Sequence, residues 1–125
     1  MRNSFGTILK NCTIRAIIKQ IEYNHIYGDK KTFDYSLENN IVIEEYYPLA
    51  EWSSKLEENK IIEELSKKKN KTVPQINLKW LMKKNIILLP KSVYSEYIKE
   101  NFNTNGFFLT DEEMKIIDTI KFDKL

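Results

Sequence analysis

Residues 72–102, TVPQINLKWLMKKNIILLPKSVYSEYIKENF, predict a helix, a strand and a second helix in immediate succession. Thr72 and Gln75 match a capping box, in which each side chain accepts from the backbone amide of the other. Pro74 falls in the first helical turn, where its missing N–H is harmless. Residues 86–89 are all apolar, as expected of a parallel strand that is covered on both faces. This order of elements indicates an α/β fold.

The flanking sequence continues the same alternation. The runs IRAIIKQIEY at residues 14–23 and IVI at residues 41–43 are rich in β-branched residues and favour strands. Thr110 and Glu113 form a second capping box at the start of a last helix. The predicted helices cover residues 28–39, 57–69, 72–84, 94–101 and 110–120. Their predicted buried sides carry Leu56, Ile61, Ile62, Leu65, Ile76, Leu78, Trp80, Leu81, Met114, Ile117 and Ile120.

Strands that alternate with helices predict βαβ units and a parallel sheet. Three parallel strands leave two open edges, and exposed edges of apolar strands invite association with another chain. A closed barrel of this kind uses eight strands and about 250 residues, whereas this chain has 125. We therefore expect one domain over residues 1–125 that forms part of a barrel and is capable of self-association through its edges.

Composition excludes several classes of protein. The 20 basic and 18 acidic residues are interleaved and give a net charge of +2, which is unlike a nucleic-acid-binding surface. The single cysteine, Cys12, forms no internal disulfide, and no metal-ligand cluster accompanies the single histidine, His25. No apolar run is long enough for a signal peptide or a membrane span, so a cytoplasmic protein is expected. Trp52, in the loop after Pro48, is interpreted as a packing residue, with a cover over a pocket as the alternative.

Lys91 and Ser92 stand where the strand at residues 86–89 ends and the next helix begins. In α/β barrels the groups that meet a ligand lie at this end of the strands. A lysine supplies a point charge, a serine supplies a hydroxyl, and a helix N-terminus supplies backbone donors. The residues alone therefore indicate an anion or nucleotide-phosphate site, with a solvated surface lysine as the alternative interpretation.

An ordered set of short segments makes the chain recognisable. The set is IKQIEY at residues 18–23, IVIEEYYPL at 41–49, KT…Q…LKW at 71–80, LPKS at 89–92 and IKENF at 98–102. In this order and spacing the segments closely resemble the C-terminal half of the aldo-keto reductases, over residues 14–120. The resemblance implies part of a TIM barrel and, for the full-length family, transfer of a hydride from NADPH to aldehydes and ketones.

The resemblance also assigns cofactor contacts to individual positions. Gln20 resembles the residue that hydrogen-bonds the nicotinamide carboxamide, and Tyr46 the aromatic residue that stacks on the nicotinamide ring. The remaining contacts implied are Leu49 over the pyrophosphate, Lys91 and Ser92 with the neighbouring backbone of Val93 at the adenosine-ribose phosphate, and Glu100 and Asn101 at the adenine.

Two positions depart from the family pattern. Tyr47 stands where the family usually has a serine beside the pyrophosphate, and Tyr97 stands where it commonly has an arginine over the 2′-phosphate and adenine. Loss of the guanidinium removes charge and planar stacking together, although a tyrosine retains a ring that stacks. Lys91 is then the only matched cation, so the departure leaves preference for NADPH over NADH open.

The family's catalytic Asp, Tyr, Lys and His lie in the N-terminal half of the barrel, to which nothing in this chain was matched. No catalytic residue is therefore assigned, and the chain alone is expected to be inactive. A carbonyl substrate is expected only where the other half is supplied by another chain or a longer gene product. Two alternatives remain: a non-catalytic nucleotide-binding module, and a truncated product with no function of its own.

Overall fold

The computed structural model describes residues 2–24, 28–50 and 57–120. Three strands and six helices follow one another along these ranges. The strands are β1 (Ile18–Ile21), β2 (Val42–Glu45) and β3 (Ile87–Leu88), and the helices are α1 (Arg2–Asn11), α2 (Lys30–Glu38), α3 (Lys60–Lys69), α4 (Val73–Lys83), α5 (Ser95–Phe102) and α6 (Asp111–Asp118). The sequence predictions for His25, Trp52 and Leu56 lie outside the described residues.

The three strands form one parallel sheet in the order β1-β2-β3, as the alternation of elements predicts. Ile18 of β1 pairs with Val42, and Glu45 at the end of β2 pairs with Leu88. Because all strands point the same way, their carboxyl ends lie along one edge of the sheet. The segments that follow the strands therefore meet at that edge.

The two faces of the sheet differ in burial. Ile43 and Glu45 of β2 point to the face that the helices cover and are 2% and 0% exposed. Ile18, Val42 and Ile87 point to the other face and are 49%, 41% and 43% exposed. The prediction that the third strand is covered on both faces is therefore wrong, because no described element packs over the second face.

Helix α4 is the central helix of the covered face. Its capping box is confirmed: Thr72 Oγ1 accepts from Gln75 N, and Gln75 Oε1 accepts from Thr72 N at 3.1 Å. Trp80 is 5% exposed and joins the hydrophobic core, as predicted. Eleven buried residues form this core: Tyr23, Phe33, Ile43, Ile62, Leu65, Ile76, Trp80, Leu81, Ile86, Leu109 and Ile117.

A buried carboxylate joins α6 to α3. Thr110 and Glu113 form the predicted capping box, in which Glu113 Oε2 accepts from Thr110 N at 2.8 Å. Lys68 Nζ lies 2.8 Å from one oxygen of Glu113 and Lys69 Nζ lies 2.9 Å from the other. Both oxygens of this buried group thus have donors, and two helices are fixed to each other.

Several predicted bounds are wrong, and the first two have a clear physical reason. The strand predicted at residues 14–23 is shorter, because pairing with β2 begins only at Ile18. The helix predicted from residue 57 begins at Lys60, because Asn59 accepts from the amides of Ile61 and Ile62 and caps it there. The last helix ends at Asp118, two residues before Ile120. The third strand is reduced to two residues.

Helix α1 was not predicted from the sequence, which offers only a glycine-containing segment without a cap signal. In the structure this helix packs against β1 and α2: Phe5 makes an edge contact with the ring of Tyr35 at 6.3 Å, and Lys19 Nζ lies 4.1 Å from the Phe5 ring centroid. These contacts supply the tertiary stabilisation that the local sequence lacks. Within the described ranges, no helix has the length and apolar character needed to cross a membrane.

Candidate cofactor site

A cavity of about 730 Å³ lies at the carboxyl ends of β2 and β3. One wall is the segment at residues 46–50 after β2, and the other is the segment at residues 90–94 together with α5. Seven of the eight residues assigned from the sequence line it: Tyr46, Leu49, Lys91, Ser92, Val93, Glu100 and Asn101. Tyr47 and Tyr97, the two departures from the family pattern, also line this cavity.

Lys91, Ser92 and Val93 form the turn that leads into α5. Ser92 Oγ accepts from Tyr94 N at 3.1 Å, and this side-chain hydrogen bond stabilises the turn. Tyr94 is the N-cap residue of α5, and no side chain caps the first-turn amides of this helix. The Lys91 side chain is exposed. A cation and uncapped helix amides therefore stand together at one end of the cavity, an arrangement that favours an anion.

Helix α5 is fixed to the cap of α4. Thr72 Oγ1 donates to Glu100 Oε1 at 2.5 Å, and Gln75 Nε2 donates to the backbone oxygens of Glu100 at 3.0 Å and Asn103 at 3.1 Å. The same two residues that start α4 thus position the far end of α5. This arrangement sets where Glu100 and Asn101 lie on the cavity wall.

Tyr46 and Gln20 lie on the uncovered side of the sheet. Gln20 Nε2 donates to Glu44 Oε1 at 2.6 Å, across the β1–β2 pair, and Gln20 is not among the residues that line the cavity. The Tyr46 ring is 48% exposed, and its hydroxyl donates to Glu22 Oε2 at 3.4 Å. Partial desolvation and then the Glu22 carboxylate raise the pKa of Tyr46 above its ordinary value.

A layer of buried polar groups lies beneath the segment after β2. Glu45 accepts from the backbone amides of Tyr23 and, at 3.0 Å, of Tyr47. Asn24 Nδ2 donates to Tyr47 O at 3.2 Å, and Asn77 Nδ2 of α4 donates to Pro48 O at 2.6 Å. These bonds fix the backbone that carries Tyr46 and Leu49 into the cavity.

The electrostatics of the cavity are nearly balanced. Among its described lining residues, Lys91 is the only cation and Glu100 the only carboxylate, and four tyrosine rings surround them. Rings suit flat ligands, and Lys91 with Ser92 suits a phosphate oxygen. The residues present thus fit a nucleotide, which carries both a flat base and a phosphate. A cavity of this size lies within the usual range for ligand sites, about 300–1,000 Å³.

Sequence reasoning missed Glu45, Asn24 and Asn77, which support the cavity from beneath. Only one signal could have indicated Glu45. A charged residue follows the apolar run at residues 41–43 in the phase of Ile41 and Ile43, and therefore on the buried side of the strand. The roles of Asn24 and Asn77 depend on contacts across 23 and 29 residues, which no local pattern shows.

Comparison with known proteins gives the family. A profile of the family described as "Aldo/keto reductase family" matches residues 7–121. The chain therefore belongs to the aldo/keto reductase family. It is 32% identical over 118 residues to a 9,11-endoperoxide prostaglandin H2 reductase of Trypanosoma cruzi, a match that covers 94% of this chain and 42% of that protein. It is 29% identical to a glyoxal reductase of Bacillus subtilis, with the same coverage.

Solved structures agree with this assignment. An aldo-keto reductase from a Medee basin deep-sea metagenome library superimposes with a TM-score of 0.90 at 32% identity, over 95% of this chain and 45% of that one. A Bombyx mori aldo-keto reductase in complex with NADP gives 0.83 at 26% identity, over 93% and 40%. The chain thus spans about two fifths of the length of these relatives, and its sheet is an open part of their barrel.

Proposed function

We propose that the chain binds NADPH in the strand-end cavity and supplies the cofactor-holding part of a reductase of aldehydes and ketones. The observation that carries the proposal is the convergence of seven assigned residues on one cavity of about 730 Å³, from segments more than 40 residues apart in the chain. The Bombyx mori relative, whose structure contains NADP, supports the choice of ligand.

In this proposal Lys91 and Ser92 hold the adenosine-ribose phosphate at the start of α5, and Glu100 and Asn101 contact the adenine. Tyr46 supplies the face on which the nicotinamide stacks, and Gln20 on the neighbouring strand binds its carboxamide. The cofactor, when bound, supplies the hydride. The protein's own contribution is to orient the ring and to hold the phosphates.

The acid that protonates the carbonyl oxygen is assigned to a part of the full-length enzyme outside the matched segment. The relatives are more than twice as long as this segment, which leaves room for that group. We therefore expect the purified chain to bind NADPH but not to oxidise it in the presence of an aldehyde. Turnover above a control without protein would contradict this assignment.

Binding is tested by titrating the full chain into NADPH and following cofactor fluorescence. We expect saturation, and we expect Lys91→Ala to weaken binding about tenfold, the effect of losing one charge-assisted contact. Lys115→Ala is the matched control, because Lys115 is exposed on α6 and does not line the cavity. Absence of saturation, or equal losses in the two variants, would contradict the proposal.

A second candidate is self-association through the uncovered side of the sheet, favoured by the exposure of Ile18, Val42 and Ile87 on one face. Exposed apolar residues on an open sheet promote pairing with another chain. Analytical ultracentrifugation should show a dimer that Val42→Lys dissociates, because a lysine there places a charge on that face. A monomer at all concentrations would contradict this candidate.

A further inference from the structure

Glu45 is a buried carboxylate beside the cavity. It is the last residue of the middle strand, it is 0% exposed, and it directly precedes the segment that lines the cavity. Among the described residues it takes part in no ion pair. Uncompensated charges are rarely buried unless they have a specific task.

The two carboxylate oxygens of Glu45 connect the segments that follow β1 and β2. One oxygen accepts from the amide of Tyr23 and the other accepts from the amide of Tyr47 at 3.0 Å. In the ionised carboxylate both oxygens are acceptors only, so each amide has an acceptor oxygen of its own. The ionised form of Glu45 is thus the form that matches this geometry.

The groups around Glu45 make its ionisation sensitive to pH near neutrality. Burial raises the pKa of Glu45 to about 7, the amides of Tyr23 and Tyr47 act against this rise, and the nearby Glu22 carboxylate adds to it. The phenol of Tyr46, on the uncovered side of the sheet, also lies in the field of the Glu45 carboxylate. Its neighbour on β3, Leu88, is apolar.

The geometry points to Glu45 as a positioning residue that, when ionised, holds residues 46–48 in the form that lines the cavity. Protonation places a hydrogen on one oxygen, and this oxygen then no longer accepts fully from its amide. The wall of the cavity loosens as a result. The effect on ligand affinity rests on the proposed function, whereas the effect on the wall itself does not.

The effect on the wall is tested by recording amide resonances of the unliganded full chain between about pH 5 and about pH 9, a range that brackets the Glu45 pKa of about 7. We expect the amide signals of Tyr23 and Tyr47 to shift together with one midpoint near neutral pH. Thr110, whose amide donates to Glu113, is the internal control and should not shift in this range. If the Tyr23 and Tyr47 signals do not titrate together, the proposal is overturned. This arm needs no variant.

The effect on affinity is tested with NADPH at about pH 6 and about pH 8, on either side of the Glu45 pKa of about 7, for the unmodified chain and for Glu45→Gln. The unmodified chain should bind more tightly at the higher pH by about tenfold, the effect of one hydrogen bond to a charged group. Glu45→Gln should bind weakly with a smaller pH dependence. Ionisation of the cofactor's own phosphate is common to both proteins and cancels in the comparison.

The exposed Glu64→Gln on α3 is the matched control and should reproduce the unmodified chain. Equal pH dependence in the unmodified chain and in Glu45→Gln would overturn the role of Glu45. If NADPH binds at neither pH while the Tyr23 and Tyr47 amides still titrate together, the proposed function fails and the positioning role stands.

Discussion

Glu113 and Glu45 are buried to a similar extent, at 3% and 0% exposure, but their surroundings are opposite. Burial alone would raise the pKa of Glu113, but hydrogen bonds from Lys68 and Lys69 outweigh it and lower the pKa to about 2. Glu45 has two backbone amides and no such cations, and burial raises its pKa to about 7. A carboxylate whose pKa is raised by burial is characteristic of a functional site. A carboxylate that is paired with lysines is characteristic of a structural ion-pair network.

The difference separates two regions of the molecule. The α3–α4–α6 side carries capping boxes, ion pairs and core residues that stabilise the fold. The strand-end side carries an unneutralised buried charge, an exposed lysine and tyrosine rings around a cavity. We therefore interpret the first region as the scaffold and the second as the binding region. In the binding region a buried charge lowers the stability of the fold but holds the wall of the cavity in place.

The largest expected effect is on the scaffold. Glu113→Gln removes a buried charge from between two lysines and should lower the free energy of unfolding by about 3 kcal/mol at neutral pH. It should also remove the Glu113 part of the loss of stability on acidification, since Glu113 has a lowered folded-state pKa of about 2 and its stabilisation, present above its unfolded pKa, is lost as the pH falls towards that value. Urea unfolding at several pH values measures both effects, with the exposed Glu112→Gln as control.

The second-largest expected effect is that of Glu45, whose contribution to the free energy of unfolding changes with pH in the opposite direction. Because the folded-state pKa of Glu45 is raised to about 7, the contribution of Glu45 is fully present below its unfolded pKa and is lost as the pH rises through about 7. The free energy of unfolding should fall by about 2 kcal/mol from mildly acidic to mildly basic pH. In Glu45→Gln this part of the slope should disappear; an unchanged slope would contradict the assignment.

A smaller effect sharpens the account of the cavity. Tyr97→Arg adds a second cation to a lining that has only Lys91 among its described residues. It should tighten NADPH binding about fivefold and leave NADH nearly unchanged, since only NADPH carries the extra phosphate. The ratio of the two dissociation constants from fluorescence titrations is the measurement. Equal gains for both cofactors would show that Tyr97 does not face the 2′-phosphate.

The smallest expected effect is that of an exposed ion pair on the scaffold. Lys67 pairs with Glu63 one helical turn away, and both side chains are largely exposed, at 72% and 48%. Lys67→Ala should therefore leave the free energy of unfolding nearly unchanged, because exposed pairs are screened by water and salt. A loss comparable to that of Glu113→Gln would remove the contrast between buried and exposed pairs.

Much of the scaffold could be predicted because its signals are local. The boxes of Thr72 with Gln75 and of Thr110 with Glu113 are written in four consecutive residues each, and both are present in the structure. The exposure of Ile87 could not be predicted in the same way. It depends on which elements cover the sheet, and an apolar strand has the same sequence pattern whether one face or both faces of the sheet are covered.

The candidate site was predicted in part. The short segments around Lys91 and Glu100 indicated cavity residues, and the structure brings them together. Glu45 was not predicted, because its environment is built from backbone amides of two separate segments and from burial by the helices. Gln20 was predicted as a cofactor contact, and its position beside Glu44 outside the cavity lining leaves that role a prediction.

The most direct test of the central claim is to map NADPH onto the full chain by following amide resonances during a titration. We predict saturating shifts confined to Gln20 and to the segments that line the cavity, which are residues 46–50, residues 90–94 and α5, with α3 and α6 unaffected. The shifts should vanish or weaken in Lys91→Ala. Shifts that follow the uncovered face around Ile18 and Val42 instead, or no saturating shifts at all, would contradict the account.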